Sequence, residues 1–381
     1  MTDNPVTVEV LIPVYNAEAT IESAVASMQR QTLKDLRIII VNDGSTDRTR
    51  QLLEKIAQLD PRVNVINKEN SGIVDALNVG LAVCKAEFVA RHDADDISFE
   101  DRLEKQCSYL RQHHDCVAVG ANAWHIDMHG NRLGTKTPFG EIHADMNSIP
   151  SREPYLLHPM LMVRRDSLMR VGGYRYVVHS EDTDLYWRLR EIGRLHNLDE
   201  VLGEYRFHEG SISGASILNG RIMAVSSQLA AISAKRRSLG QQDLQFSSNL
   251  TAAYKAVRTL APIVELACAS LSQEERAYLE MSAAAKLLIL ASYRPYSLEK
   301  SDLSFLGKAL KRNATHIEPS ALQTIEDHLR AEVLHLLSNR DFAALIALSP
   351  PAHIVSDIIR KKLRKAKNRL FNAIMANRKH N

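Results

Sequence analysis

The sequence predicts an α/β protein: a mixed, mostly parallel sheet flanked by helices, with an α-helical C-terminal extension. Short apolar strands alternate with amphipathic helices through the first third of the 381-residue chain, the order that builds a parallel sheet. Polar turns follow these strands at the edge where open α/β sheets bind ligands. From about residue 217 onward, the chain is rich in Ala, Leu, Lys and Glu and reads as nearly all helical.

Four strands, separated by helices, are predicted in the first third of the chain. The strands are the apolar and β-branched runs 8–14, 36–41, 63–66 and 88–91. Helices are expected over about 19–31, up to about 58, through 83 after a turn led by Gly72, and after residue 101. Ser45 or Thr46 is the expected cap of the second helix. Ser98 and Asp101 have the spacing of a capping box before the fourth.

Three segments are predicted along the chain. Residues 1–216 form the α/β domain, 217–350 a helical region and 351–381 a basic tail. After residue 116 the α/β domain has a mixed pattern, with strands near 117–123, 160–163 and 202–205. Within the helical region, Ser272 and Glu275 have the spacing of a further capping box.

Composition is that of a folded globular protein. Apolar residues make up 45% of the chain and charged residues 24%, a balance that disordered chains lack. The net charge of +3 does not favour a polyanion as partner of the whole chain. The four cysteines form no CxxC pair, so buried free thiols are expected rather than disulfides or a zinc site. No apolar run approaches the ~20 residues that span a bilayer, and a cytoplasmic protein is expected.

An acidic turn, Asp93-Ala94-Asp95-Asp96, directly follows the fourth predicted strand. The first two strands deliver Tyr15 and Asp43 to the same edge of the sheet. Carboxylate oxygens suit Mg²⁺ or Mn²⁺, and such an ion, with phosphates in its shell, serves chemistry on a diphosphate. The alternative is an acidic loop of solvated aspartates. The mutual repulsion of three carboxylates favours a cation.

A second acidic group, Glu181-Asp182-Thr183-Asp184, precedes apolar residues at helical spacing. Its carboxylates are therefore predicted at a helix N-terminus, where the dipole favours their ionised form. A carboxylate there can act as a general base toward a hydroxyl, and ordinary N-terminal helix charge is the alternative. His208 follows the strand near 202–205 and is a candidate metal ligand or phosphate contact, with a surface histidine as the alternative.

These groups belong to a longer series of motifs in a fixed order. The series comprises Ile12-Pro13-Val14-Tyr15-Asn16-Ala17-Glu18, Gln31-Thr32, Ile39-Ile40-Val41-Asn42-Asp43-Gly44-Ser45-Thr46-Asp47, Asn70-Ser71-Gly72, Ala76-Leu77-Asn78-Val79-Gly80, the acidic turn, His158-Pro159, Gly172-Gly173-Tyr174, Glu181-Asp182 and Tyr205-Arg206-x-His208. Over about residues 7 to 215, it resembles the family 2 glycosyltransferases. That family often has two aspartates before Gly44, whereas the first of them is Asn42 here.

The resemblance implies a GT-A fold, which is Rossmann-like, with a nucleotide-binding half and an acceptor half. It implies transfer of a sugar from a nucleotide-diphosphate donor, with a UDP-sugar favoured over a guanine or thymine nucleotide. Asp43 would bond a uracil-like imide, Asp93 would contact the ribose side, and Asp95 would ligate Mn²⁺ or Mg²⁺. The residues implied at the nucleotide sugar are Pro13, Tyr15, Asp43, Gly72, Asp93, Ala94 and Asp95.

The same resemblance implies inversion at the anomeric carbon. Asp182 would deprotonate a hydroxyl of a saccharide or lipid-linked saccharide acceptor, with Glu181 close by and His208 facing the diphosphate or the metal. A nucleotidyltransferase is one alternative, although such enzymes usually show a glycine-rich phosphate loop with a basic residue after the first strand. A nucleotide-sugar-binding protein without catalysis is the other, and the intact Asp95 and Asp182 argue against it.

Both C-terminal segments lie outside the resemblance. The helices of 217–350 either shape the acceptor site, form a homo-oligomer interface or extend the structure. Residues 353–381 contain nine Lys or Arg and a single acid, Asp357, with apolar residues every three or four positions. This pattern is typical of a basic amphipathic helix on an anionic membrane surface, here the inner face of the cell membrane. Packing on the protein itself and an RNA-binding arm are the alternatives, and nucleic acid is not expected because Phe371 is the only aromatic residue there.

Overall fold

The computed structural model describes residues 6–207, 216–294, 296–313, 319–352, 354–356, 358 and 360. The chain divides into two compact units. The first comprises Met1–Met146, Arg152–Ser211 and Ala230–Thr251, and the second comprises Asn147–Ser151, Ile212–Leu229 and Ala252–Asn381. The sheet lies in the first unit and the second is helical. The division into segments at residues 216 and 350 stays a prediction.

One mixed sheet organises the first unit. Its strands are β1 Val8–Val14, β2 Leu36–Asp43, β3 Val63–Lys68, β4 Phe88–Arg91, β5 Ile97–Ser98, β6 Cys116–Ile126, β7 Arg132–Lys136, β8 Met162–Arg164 and β9 Arg194–Arg206. They lie in the order β3-β2-β1-β4-β8-β6-β9-β5, and β7 pairs with β6. The β3-β2-β1-β4 half is parallel, β8 is antiparallel to both neighbours, and β6 and β9 are parallel. The predicted α/β class, with the mixed sheet expected of a GT-A fold, is confirmed.

Helices cover the sheet and make up most of the C-terminal region. They are α1 Ile21–Gln29, α2 Thr49–Leu59, α3 Ile73–Val83, α4 Arg102–Gln112, α5 Arg165–Arg170, α6 Glu181–Arg190, α7 Ile217–Ser238, α8 Ser248–Ala256, α9 Leu260–Ala267, α10 Gln273–Ala291, α11 Lys300–Asn313, α12 Pro319–Ser338 and α13 Phe342–Leu348. The predicted helical extension is confirmed. Within the described part of the chain, no helix has both the length and the apolar character needed to cross a bilayer.

Strand β1 is buried on both faces because its side chains alternate between two apolar clusters. Val10 and Ile12 pack in a cluster with Val25 of α1, whereas Leu11 packs in a second cluster with Leu77 of α3. A strand with helices on both faces reads as a continuous apolar run rather than as an alternating one. That pattern explains why the bounds of β1 could be predicted from the sequence.

Two predicted helix caps are wrong. Helix α2 begins at Thr49 because Ser45 and Thr46 are engaged elsewhere: the Ser45 hydroxyl accepts from the backbone N–H of Asn16 (3.0 Å), and the N–H of Thr46 donates to the Asn16 side chain (2.8 Å). Ser98 does not cap α4, since its hydroxyl accepts from the Arg102 guanidinium (2.8 Å).

Two further predictions from the sequence are confirmed. Ser272 and Glu275 form the predicted capping box at the start of α10. All four cysteines are buried free thiols.

Side-chain amides tie the loops around the sheet in place. Gln31 accepts from the N–H of Leu103 (3.0 Å) and donates to the carbonyl of Phe99 (2.7 Å), which joins the end of α1 to the start of α4. Asn78 on α3 donates to the carbonyl of Tyr174 (2.9 Å) and accepts from its N–H (2.9 Å). Gln31 and Asn78 therefore hold the segments that precede α4 and α6.

Candidate active site

The carboxyl end of β2 places Asp43 within a set of hydrogen-bond donors. Its buried carboxylate accepts from the backbone N–H groups of Ser71 (3.0 Å) and Gly72 (2.8 Å). Lys68 lies opposite Asp43 in the register of β2 and β3 and forms an ion pair with it. Sequence reasoning missed Lys68, although a lysine ending the strand next to Asp43 is a usable signal once strand order is known.

Two glycines shape the backbone beside Asp43. Gly44 has φ +70°, and a Cβ there would lie 2.6 Å from the backbone nitrogen of Asn70, so any larger residue would push the two loops apart. Gly72 has φ +97° and precedes α3, with no atom within 4 Å of where a Cβ would lie. The positive N-terminus of α3 therefore begins beside open space, where an anionic or polar ligand is favoured.

The remaining residues predicted at the base lie at the ends of β1 and β2. Pro13 is half-buried within β1, and the side chain of Tyr15 just beyond it is 52% exposed. Asn42 is buried, donates to the side chain of Asn67 (2.8 Å) and accepts from the N–H of Ser45 (3.1 Å). Asn42, which stands where the family often has an aspartate, thus stabilises the turn after β2.

The acidic turn gathers three carboxylates, those of Asp93, Asp95 and Asp96. One oxygen from each lies within 4.8 Å of the others, while Ala94 between them is half-buried. Arg206 holds the turn from β9: its backbone N–H donates to Asp96 (2.7 Å) and its side chain donates to the carbonyl of Asp95 (2.7 Å).

The chemistry of the acidic turn fits a hard divalent cation. Asp96 is fully buried, and its second carboxylate oxygen has no hydrogen-bond partner among the described residues. Burial, followed by the charges of Asp93 and Asp95, raises the pKa of Asp96 well above its ordinary range. A cation beside the turn would relieve this accumulation of charge, and oxygen ligands suit Mg²⁺ or Mn²⁺.

A buried arginine ends β4, directly before the acidic turn. The Arg91 guanidinium is 2% exposed, forms an ion pair with Asp93 and donates to the carbonyl of His92. Sequence reasoning did not select Arg91. Its signal was a basic residue at the last position of an otherwise apolar strand.

The other predicted acidic site is the α6 carboxylate pair, Glu181 and Asp182, at the start of α6. Burial, and then the charge of Asp182, raises the pKa of Glu181 to about 8. Burial raises the pKa of Asp182 to about 6, while a hydrogen bond from the N–H of Thr183 (2.7 Å) opposes this rise. At neutral pH, the pair therefore carries mainly one negative charge, on Asp182.

Asp184 does not belong to this pair. It is fully buried and forms ion pairs with Arg175 and with Arg188, the latter at 2.7 Å. The acidic motif after Ser180 thus divides into the α6 carboxylate pair and one carboxylate that fixes the helix in the core.

A buried polar cluster connects the acidic turn with the α6 carboxylate pair. The ring nitrogen Nε2 of His158 lies 2.9 Å from the hydroxyl of Tyr174, and Tyr186 of α6 packs edge-on against His158 at 6.4 Å between ring centroids. Burial raises the pKa of Tyr174; Arg91 opposes this and the α6 carboxylate pair adds to it. Arg91 and the α6 carboxylate pair therefore act on the pKa of the same hydroxyl in opposite directions.

The structure describes the positions of all predicted site residues but one, and their roles stay predictions. Asp43 at the end of β2 accepts from Gly72 at the start of α3. Arg91 connects the acidic turn, through Leu161 and His158, with Tyr186 of α6. His208, the predicted second metal ligand, lies outside the described residues.

Comparison with known proteins identifies the family to which the chain belongs. Residues 9–172 match the model for Glycosyl transferase family 2. The amylovoran biosynthesis glycosyltransferase AmsE of Erwinia amylovora is 32% identical over 216 residues, covering 56% of this chain and 78% of AmsE. The chain belongs to glycosyltransferase family 2. The family 2 resemblance predicted from the motifs is confirmed.

Two further relatives agree with this assignment. The O-antigen biosynthesis glycosyltransferase WbnJ of Escherichia coli is 31% identical over 215 residues, covering 55% of this chain and 83% of WbnJ. An uncharacterized glycosyltransferase of Haemophilus influenzae is 33% identical over 219 residues, covering 54% of this chain and 67% of that protein. This family 2 protein is therefore an enzyme of glycosyl transfer, and the nucleotidyltransferase alternative is not supported.

The raised pKa of Glu181 predicts that Glu181→Gln stabilises the family 2 enzyme at alkaline pH. Because the folded-state pKa is about 8 against an ordinary 4.5, stability from protonation is present at low pH and is lost as the pH rises through 8. At pH 9, the variant should exceed the wild type in free energy of unfolding by up to about 5 kcal/mol, and at pH 5 the two should be similar. Chemical denaturation at both pH values measures this.

The exposed Glu22 on α1 offers the matched control. Glu22→Gln should stay within about 0.5 kcal/mol of the wild type at both pH values. An equal loss of stability in Glu181→Gln at pH 5 and pH 9 would contradict the raised pKa of Glu181.

Proposed function

We propose that this enzyme is an inverting, metal-assisted glycosyltransferase that moves a sugar from a UDP-sugar to a hydroxyl of a saccharide or lipid-linked saccharide. The observation that carries the proposal is the α6 carboxylate pair, in which Glu181 is buried and Asp182 half-buried, together with the three carboxylates of the acidic turn. The first group offers a proton acceptor and the second offers hard oxygen ligands. Inversion requires no covalent intermediate, so a single base at the acceptor and a stabilised leaving group are sufficient.

Asp43 is proposed to select the base of the donor. A carboxylate has about four acceptor positions, and Asp43 uses two of those on Oδ1 for Ser71 and Lys68 and one on Oδ2 for Gly72. The position left on Oδ2 can accept the imide N–H of uracil, thymine or guanine. Cytosine lacks that N–H. Pro13 and Tyr15 would frame the base from β1, with Gly72 at the opening beside α3.

The acidic turn is proposed to hold the metal and the adjoining part of the donor. Asp95 would be a ligand of Mn²⁺ or Mg²⁺, while Asp93 and Ala94 would contact the nucleotide sugar. When bound, such an ion neutralises charge on the departing diphosphate. His208 remains a proposed second ligand on the basis of its motif.

Asp182 is proposed as the general base. A base is most effective when its pKa lies near the working pH, and the pKa of Asp182, at about 6, meets that condition. Asp182 would take the proton of the acceptor hydroxyl while the hydroxyl oxygen bonds to the anomeric carbon and the bond to the diphosphate breaks. Glu181, protonated at neutral pH, would leave the charge of the pair on Asp182.

A saccharide acceptor is supported by the relatives. AmsE is named for amylovoran biosynthesis and WbnJ for O-antigen biosynthesis. The helices of 217–350 would then contribute to the acceptor site, to a homo-oligomer interface or to structure alone.

The donor and metal assignments predict selective stabilisation by nucleotides. UDP with Mn²⁺ should raise the melting temperature by roughly 3–8 °C at saturating concentration, UDP alone should raise it less, and CDP should have the weakest effect. Asp95→Asn should remove the dependence on Mn²⁺. Asp166→Asn, at a side chain that is 99% exposed, is the control. Equal shifts with UDP and CDP, or with and without metal, would contradict these assignments.

The role of Asp182 predicts a loss of transfer without a loss of donor binding. Asp182→Asn should lower UDP release from the UDP-sugar by about 10²–10⁴-fold, while calorimetry should show UDP affinity within a factor of about three. Glu181→Gln should lose less, because glutamine resembles a protonated glutamate. If Asp182→Asn retained full transfer, Asp182 could not be the base.

We further propose that the basic tail attaches the enzyme to the inner face of the cell membrane. Ile354 and Ile358 are buried in the core of the helical unit, so any anchor must lie beyond them. Residues 361–381 lie outside the described part of the chain, and their amphipathic, basic pattern carries the proposal.

A chain ending at Arg360 tests the anchor while keeping Ile354 and Ile358 in the core. The full chain should sediment with vesicles containing phosphatidylglycerol, less so at high salt, and only weakly with pure phosphatidylcholine vesicles. The shortened chain should stay in the supernatant with both. Equal sedimentation of the two chains would contradict the membrane role of the tail.

A further inference from the structure

We propose that Arg91 is a positioning residue that acts on both acidic parts of the site: it fixes Asp93 for the donor and supplies the positive charge beside the α6 carboxylate pair. The inference rests on the proposed function in one respect, the contact of Asp93 with the donor. Its electrostatic part concerns the folded protein alone and can be tested without any substrate.

The position of Arg91 is fixed from three sides. Its backbone N–H donates to the carbonyl of Leu161 (2.8 Å), and its carbonyl accepts from the guanidinium of Arg102 (2.7 Å). Its own guanidinium forms the ion pair with Asp93 and donates to the carbonyl of His92. A planar guanidinium held in this way orients a carboxylate more strictly than a lysine ammonium can.

Asp93 needs such a partner. The turn brings the carboxylates of Asp93, Asp95 and Asp96 within 4.8 Å of one another, so each repels the other two. Arg206 directs its side-chain donors to the carbonyl oxygens of the neighbouring loops. Without Arg91, Asp93 would lose its ion pair, and its carboxylate would no longer be held toward the donor.

Hydrogen bonds from the backbone of Arg91 also lead toward the start of α6. The carbonyl of His158 accepts from the N–H of Leu161 (3.1 Å), the residue whose own carbonyl accepts from Arg91. His158 in turn contacts Tyr174 and Tyr186. These contacts connect Arg91 with Tyr186, which lies about one helical turn after Asp182 in α6.

Charges of both signs act on Glu181. Burial and the charges of Asp182 and Asp93 raise the pKa of Glu181. The charge of Arg91 lowers it. The charge of Glu153 likewise raises the pKa of Asp182. The buried guanidinium of Arg91 therefore offsets part of the repulsion that Asp182 and Asp93 exert on an ionised Glu181.

The test combines Arg91→Gln with Glu181→Gln in a double-mutant cycle of unfolding equilibria. At pH 9, Glu181 is ionised and interacts with Arg91, so the two changes should couple by at least about fivefold in the unfolding constant. At pH 6, Glu181 is protonated, and the coupling should fall below about twofold. A purely structural role of Arg91 would give the same coupling at both pH values, and that result would overturn the electrostatic part of the proposal.

Binding of UDP tests the proposed positioning of Asp93 by Arg91. Calorimetry with UDP and Mn²⁺ should show at least about tenfold weaker binding in Arg91→Gln. Arg164→Gln is the matched control: Arg164 is an arginine of β8 that donates to the carbonyls of Cys116 (2.9 Å) and Leu110, and its change should leave UDP affinity within about twofold. Unchanged UDP affinity in Arg91→Gln would overturn the positioning of Asp93.

If Arg91→Gln does not fold, Arg91→Lys tests the same proposal. It keeps the charge and loses the planar fork, so the pH-dependent coupling to Glu181→Gln should remain while UDP binding weakens. Loss of that coupling together with unchanged UDP binding would overturn the proposal. If the wild type bound none of the nucleoside diphosphates, the proposed function would fail, whereas the unfolding cycle would still report on Arg91 and Glu181.

Discussion

The crowding of carboxylates at one edge of the sheet is the constraint around which the first unit is organised. Burying a charge without a partner is costly, and the structure meets that cost differently at each acid. Asp43 is held by Lys68 and backbone N–H groups, and Asp93 is held by Arg91. Glu181 is neutralised by a proton. Asp96 keeps one oxygen without a hydrogen-bond partner among the described residues. The acids at this edge are therefore compensated in different ways, by ion pairs, by backbone N–H groups or by a proton.

The sheet places these acids close together because of its topology. Strands β1, β2 and β4 are parallel neighbours, so the residues after each strand lie at the same edge. The antiparallel β8 follows β4 in the sheet, and the turn before it carries His158. This turn connects the acidic turn with α6. The amide side chains of Gln31 and Asn78 then fix the neighbouring loops, which explains why these uncharged residues belong to the family's motif series.

Much of the fold could be predicted from local pattern. The bounds of β1 and β4 match the predicted runs because both strands are buried and therefore uniformly apolar. Caps were harder to predict. Ser45, Thr46 and Ser98 are all good capping residues, and each is engaged with Asn16 or Arg102 instead. Asn16 lies in the loop after β1, whereas Arg102 is the first residue of α4 itself, and sequence spacing does not reveal which of two acceptable partners a hydroxyl will choose.

The sequence by itself determined the family and the parallel half of the sheet, and it pointed to the acids proposed for the site, because motif order and apolar period are properties of the chain. Only the tertiary structure decided which acids share a partner. Asp182 and Asp184 are two residues apart, yet one belongs to the α6 carboxylate pair and the other is buried between two arginines. Lys68 and Arg91 became visible only once the strands were ordered. Ionic contacts and burial depend on distances between segments, and those distances are set by packing.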